Sequence, residues 1–315
     1  MNELERVINL KKAYRKPAPK KLIKRGTIAH GIVETTPIVW NGRLLYFGWK
    51  RTYKWDNDTL LSIKGCYQFV DIETNEEVAS FAEGHSFGSA YAENGKMYVI
   101  GTEGGFGSNK LVLFVSDDLK NWEKYTVFEK DSWVIYNTSI CKGKDGYILA
   151  IEIGEPSEIV GVPYTIVFAK SDDMIQWEML DVDKYVYRKD RYAACPVIRF
   201  VDGYYYMIYL ETFSGYNSAP YIVRTKDLLD WELAPINPIM WYDDSDRKVE
   251  HPEYFSKKEL EDIQLALNTN NSDVDICEWQ GKTIILYSWG NQCGREFLAL
   301  AEYEGSMKEF FESFY

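Results

Sequence analysis

Apolar and polar positions alternate along this chain in short runs, each closed by a tight polar turn. Five dipeptides punctuate it: Asn41-Gly42, Asn94-Gly95, Asp145-Gly146, Asp202-Gly203 and Gln280-Gly281. Asn-Gly and Asp-Gly suit two-residue hairpins, because those turns need positive φ. The run after each turn is aromatic or β-branched, as in Tyr204-Tyr205-Tyr206-Met207-Ile208-Tyr209 and Thr283-Ile284-Ile285-Leu286-Tyr287. Such runs prefer strands. A second pattern keeps the same period. Ser116-Asp117-Asp118-Leu119-Lys120-Asn121-Trp122 is echoed by Ser171-Asp172-Asp173-Met174-Ile175-Gln176-Trp177 and by Thr225-Lys226-Asp227-Leu228-Leu229-Asp230-Trp231. The tryptophans recur about every 55 residues, which marks a repeat architecture with one supersecondary unit per repeat. Together the two patterns predict an all-β fold, a five-bladed β-propeller of four-stranded blades.

The blades are expected over about 35–82, 86–128, 133–180, 192–233 and 273–303. They form one domain over 26–315, after a basic N-terminal leader at 1–25. The last turn spacing is longer, which predicts an insertion at about 234–270. Inside it Ser256-Lys257-Lys258-Glu259 has capping-box form and predicts a helix from Lys257 to Leu267. A second box, Ser306-Met307-Lys308-Glu309, predicts a short C-terminal helix carrying Phe310, Phe311 and Phe314. The last blade shows only three strand runs. A sheet with a free edge is a liability, so the segment from Thr27 to Val33 is predicted to complete it and close the ring. Trp122, Trp177 and Trp231 are predicted to be buried structural residues between strands three and four.

Charge and composition narrow the function. A net charge of −12 argues against a nucleic-acid partner and an anionic membrane surface. No apolar run approaches the ~20 residues of a spanning helix. The leader is basic, from Arg6 to Arg25, and lacks the apolar core of a secretory signal; it reads as a solvated strap against an acidic body. The five cysteines are scattered and odd in number, without metal-ligand spacing. They read as reduced thiols of a cytoplasmic protein. His30, His85 and His251 are too dispersed to propose a metal site, so neither metal nor cofactor is expected. The oligomeric state stays open.

In a propeller, the start of strand one and the end of strand two of each blade open on one face. The residues at those positions include Glu34, His85, Glu103, Asn137, Glu152, Arg191, Tyr192, Glu211, Asp273, Asp275, Trp289 and Asn291. Carboxylates dominate. Sugar cleavage needs two carboxyl groups flanking the scissile bond, and crowding raises one pKa so that it can act as acid. The 24 tyrosines suit ring stacking as well as blade cores. Alternation along Asn271-Ser272-Asp273-Val274-Asp275 points both aspartates to the same side.

The Ser-x-Asp-Leu-x-x-Trp repeats, the hairpin run Gly203-Tyr204-Tyr205-Tyr206 and the five units resemble the five-bladed glycoside hydrolases. These are the family 43 arabinosidases and xylosidases, the family 32 invertases and their relatives. The resemblance covers about 35–303. It implies a glycosidase acting on a small oligosaccharide or glycoside through acid and base carboxylates at the propeller axis. In those families the first blade opens with Asp-Pro, whereas this chain has Thr36-Pro37. A later blade there carries Glu-Gly-Pro or Glu-Cys-Pro, whereas this chain has Ala194-Cys195-Pro196. The family's catalytic roles therefore do not carry over to these positions. The expected substitutes are Glu211 as general acid and Asp273 or Asp275 as base or nucleophile. Glu152 would tune pKa or bind hydroxyls, and Glu34, His85, Asn137, Arg191, Tyr192, Trp289 and Asn291 would contact the sugar. Two alternatives remain: a catalytically inactive sugar-binding propeller, and a glycoside phosphorylase whose Lys50, Arg51 and Arg191 hold phosphate.

Overall fold

The computed structural model describes residues 22–56, 59–162, 164–213, 217–291 and 295–315. It is a β-propeller. Strand β1 (Leu22–His30) stands apart from the hairpins that follow. The first sheet is β2 (Ile32–Trp40), β3 (Arg43–Asp56), β4 (Thr59–Asp71) and β5 (Glu77–Phe81). The second is β6 (His85–Glu93), β7 (Lys96–Glu103), β8 (Lys110–Ser116) and β9 (Glu123–Glu129). The third is β10 (Val134–Lys142), β11 (Tyr147–Glu155), β12 (Thr165–Ser171) and β13 (Glu178–Met179). Next come β14 (Ala194–Val201), β15 (Tyr204–Thr212), β16 (Ser218–Thr225) and β17 (Glu232–Leu233). One parallel pairing, Ser218 with Asn270, joins that group to β18 (Asn270–Trp279), β19 (Lys282–Gly290) and β20 (Glu296–Tyr303), and with β1 on β20 the sheet has eight strands.

The turn chemistry explains the hairpins. Asn41, Asn94, Asp202 and Gln280 sit at φ 48–52°, each followed by a glycine at positive φ, as two-residue hairpin turns require. The repeated heptapeptide makes the same turn three times. Asp118 accepts the N–H groups of Lys120 and Asn121, Asp173 those of Ile175 and Gln176, and Asp227 those of Leu229 and Asp230. Leu119, Met174 and Leu228 adopt φ 62–64° and are buried. The three tryptophans are half-buried rather than buried. Trp122 stacks on Phe81 at 3.8 Å between ring centres, and Trp177 donates its indole N–H to the Met174 carbonyl at 2.8 Å.

The core lies between neighbouring sheets. Phe47 and Phe69 of the first meet Met97 and Val99 of the second. Ile100 and Leu113 meet Ile151 and Val167 of the third, and Phe168 meets Tyr209 and Tyr221. Ile208 and Ile222 meet Ile276 and Ile285, and Leu286 and Leu298 return to Tyr46 and Val70. The first strands follow suit: β2 packs on β6, β6 on β10, β10 on β14, β14 on β18, and β18 back on β2.

Strand β1 closes this ring by pairing with β20, from Leu22 opposite Tyr303 to His30 opposite Phe297. It starts earlier than the expected Thr27 and stops at His30. Gly31 turns the chain at φ 71°, and Ile32 and Val33 already pair with β3. Lys24 and Arg25, read from the sequence as leader, therefore stand in the sheet. The insertion clamps this strand. Lys24 Nζ reaches Asp246 at 2.8 Å, the Trp241 carbonyl at 2.6 Å and Asn271 Oδ1 at 2.9 Å. Thr27 N–H donates to the Lys248 carbonyl at 2.7 Å, and a Cβ at Gly26 would lie 2.3 Å from that same oxygen. The insertion's helix runs Lys257–Leu265, capped by Ser256 as expected, and the C-terminal helix Met307–Glu312 buries Phe310 and Phe311. No described helix is long and apolar enough to cross a membrane.

Candidate active site

Every first strand carries the same irregularity. The register slips between Val33 and Thr36 in β2, Ser86 and Ser89 in β6, Ile135 and Thr138 in β10, Ala194 and Val197 in β14, and Ser272 and Asp275 in β18. A bulge leaves extra residues unpaired and re-aims them. The first bulged residue is Glu34, Phe87, Tyr136, Cys195 or Asp273. Four of these sit in the left-handed region, at φ 51°, 51°, 50° and 48° for Glu34, Phe87, Cys195 and Asp273. Such conformations cost on the order of 1–3 kcal/mol each and cluster at functional sites.

Three of the re-aimed side chains converge on the axis. A narrow shaft of about 20 Å³, room for about one water, is lined by Glu34, Ser89, Asn137, Cys195, Asp273 and their neighbours. A carboxylate oxygen of Glu34, the Cys195 sulfur and a carboxylate oxygen of Asp273 all lie within 4.8 Å of one another. Cys195 Sγ donates to Asp273 Oδ1 at 3.0 Å. Glu152, near the end of β11, joins them from the side. It accepts the Cys195 backbone N–H at 2.7 Å and Asn137 Nδ2 at 2.9 Å. Glu34, Cys195 and Asp273 are also the described group with the spacing to hold a cation.

Burial and mutual repulsion set the protonation. Glu152 is pushed up to about 7, chiefly by burial and further by the Asp273 carboxylate, against the pull of its two hydrogen bonds. Glu34 is raised well above the ordinary range by desolvation, then by Asp273 and Glu152; Arg51 opposes this. Burial, with the same acids, also pushes the Cys195 thiol up, so it is held as the neutral thiol.

The other expected site residues are dispersed. Glu211 is fully buried away from the shaft lining, where it accepts from Tyr209 Oη at 3.0 Å. It shares this pocket with Arg191, itself 5% exposed and paired to Asp190 at 2.9 Å. Asp275 borders the shaft, but its carboxylate is held by Arg199 and by the Ile276 N–H. The bulge between Ser272 and Asp275 breaks the alternation that had put both aspartates on one side. Trp289 is fully buried, stacked on Phe297 at 4.5 Å, with its indole N–H on Thr27 Oγ1 at 2.9 Å. It offers no face to a ligand. The Asn291 side chain accepts the Arg295 N–H at 3.3 Å.

Tyr192 is half-buried in a row of edge-to-face rings, 5.5 Å from Tyr164, which lies 4.9 Å from Tyr136. His85 stands beside the axis rather than on it: Lys124 Nζ donates to its Nε2 at 3.0 Å, and its Nδ1 lies 3.1 Å from the Ala82 carbonyl. The cations suggested for phosphate are engaged, Arg51 with Glu296 and Lys50 with Glu77. Cys195 escaped the sequence reading because a bulge has no sequence signature of its own. Its one signal was its place beside Pro196, in the tripeptide Ala194-Cys195-Pro196.

The fold is that of the β-propeller glycoside hydrolases. The structure matches the α-L-arabinofuranosidase PaAbf62A from Podospora anserina, solved with cellotriose, with a TM-score of 0.61 at 9% identity, covering 91% of this chain and 97% of that one. A glycosyl hydrolase from Bacteroides ovatus matches with a TM-score of 0.56 at 12% identity, covering 90% and 92%. The family 43 protein BlXynB from Bacillus licheniformis matches with a TM-score of 0.59 at 15% identity, covering 87% of this chain and 53% of that one. No protein-family model matches the sequence, and no curated protein sequence does.

Proposed function

We propose that this protein is a five-bladed β-propeller that hydrolyses a glycosidic bond in a small oligosaccharide or glycoside. The observation that carries this reading is the meeting of Glu34, Glu152 and Asp273 at the axis, with Glu152 pushed up to about 7. A carboxyl group near 7 is half protonated at neutral pH, where a general acid works best. Glu152 protonates the departing glycosidic oxygen. The Asp273 carboxylate acts as nucleophile or activates water. Glu34, kept protonated, donates to a sugar hydroxyl. This moves the acid from Glu211 to Glu152 and retains Asp273 of the two aspartates. The repeated first-strand bulges and the return of β18 onto β2 support five blades. The neighbours' fold supports the glycosidase class. The four described cysteines are free thiols, as a reducing cytoplasm would keep them.

Binding without cleavage is the second reading, favoured by Thr36 and Ala194 standing where the related families carry acids. A screen of aryl glycosides and short oligosaccharides separates the two. Turnover that falls about 10²–10⁴-fold in both Glu152→Gln and Asp273→Asn is expected. A substrate cleaved at the wild-type rate by either variant refutes the assignment of that residue.

A further inference from the structure

We propose that a groove beside the shaft, between the first and second sheets, is a subsite for a second sugar residue. The substrate would then be an oligosaccharide bound across groove and shaft; the inference rests on the glycosidase reading above. The groove encloses about 310 Å³ and is lined by Trp49, Gly65, Glu83, Gly84, His85, Gly104 and Gly105. Ligand pockets start at about that size. It lies at the start of β6 and the end of β7, the edge on which the re-aimed acids also sit. Its floor is open backbone: a Cβ at Gly84, Gly104 or Gly105 would meet no atom within 4 Å.

At the lip, the loop after β7 holds up Phe106, which is 58% exposed. Its ring lies 5.0 Å from Phe87 and 6.1 Å from Trp49. Phe87 occupies the bulge position that Glu34, Cys195 and Asp273 hold in their own strands, and the next residue, Gly88, lines the shaft. Phe106 is the exposed ring of this cluster; Trp49 and Phe87 are buried beneath it and brace it against the strand that reaches the shaft.

The chemistry of these walls selects the ligand. An exposed ring beside open peptide groups suits a molecule with an apolar C–H face and hydroxyl edges, which describes a pyranose or furanose. His85 is kept neutral, since burial and Lys124 both hold its pKa below the ordinary value. The exposed Glu83 carboxylate accepts hydroxyl hydrogen bonds. Among the described residues the adjacent cations, Lys110 and Lys124, are both ion-paired to Glu103, and the exposed Glu83 repels an anion. A purely apolar ligand would leave the glycine peptide groups desolvated and unpaired, which is costly.

The test uses two variants of the full chain, Gly105→Trp to fill the groove and Phe106→Ala to remove its lip. Each is assayed on an aryl monoglycoside and on the trisaccharide of the same sugar. The preference for the trisaccharide, taken as the ratio of kcat/KM values, is expected to fall roughly tenfold in each. A ratio unchanged in both variants overturns the subsite. If the wild type cleaves nothing, the glycosidase reading fails, and calorimetry with trisaccharides of xylose, arabinose, mannose, glucose and galactose decides the groove separately. Binding lost in Gly105→Trp upholds it. Binding equal in wild type and variant, or no binding by the wild type, overturns it.

Discussion

Replacing Glu152 with Gln removes one titrating proton from the shaft while keeping the shape of the side chain and its ability to accept from Cys195 and Asn137. The carboxyl group has an ordinary value of 4.5 and is held at about 7 in the folded protein. That gap corresponds to about 3 kcal/mol. Between these two values the folded state binds the proton and the unfolded chain has released it. The folded state therefore binds more protons, and stability falls as pH rises through this window. Below about pH 4 and above about pH 8 this contribution is flat. Gln does not titrate, so the variant escapes the loss. Urea unfolding at pH 4.5, 6 and 8 is the assay. The variant should match the wild type at pH 4.5 and exceed it by up to about 3 kcal/mol at pH 8. Glu34 titrates in both proteins, and losing the Glu152 charge relieves it too, which shifts the difference in the same direction. Parallel stability curves for the two proteins would mean that Glu152 ionises as an ordinary surface acid, and the argument for it as general acid would fall with them.

Lys24→Met should destabilise by about 3–5 kcal/mol, because it leaves the fully buried Asp246 without its cation; a urea-derived loss under 1 kcal/mol would show that the insertion does not hold the closing strand. Gly101→Ala would put a Cβ 2.0 Å from the Tyr67 hydroxyl and 2.9 Å from Gly88 Cα. It should cost about 1–3 kcal/mol and displace Tyr67 from the Ser86 carbonyl; an unchanged thermal midpoint would refute that packing. Trp122→Ala removes the ring stacked on Phe81 and should cost about 2 kcal/mol, less than a fully buried tryptophan would, as read from the urea midpoint.

Local chemistry was legible in the sequence wherever a residue's own backbone preference dictated the structure. Asn41-Gly42 and its counterparts turn the hairpins because Asn and Gly tolerate positive φ. The repeated Asp caps its turn because its carboxylate reaches two N–H groups three residues away at most. Ser256 and Ser306 cap helices for the same short-range reason. The closing strand was legible only by counting, from a sheet one strand short, and its ends were misjudged because Gly31 and the clamp on Lys24 act across the ring.

The site was legible as a set of acids and illegible as a geometry. Glu34, Asn137 and Asp273 meet because bulges in their first strands turn residues toward the axis, where Glu152 joins them from β11, and alternation along the chain cannot anticipate a bulge. The same slip separates Asp275 from Asp273 and leaves Cys195 at the centre. Glu211 and Trp289 occupy positions that repeat spacing marks as facing the axis, yet packing between neighbouring sheets enclosed both. Sequence determined the strands, their turns and the kinds of chemistry available. Only the closed ring decided which carboxyl groups share one desolvated space, because their repulsion and burial depend on distances between sheets that no local rule contains.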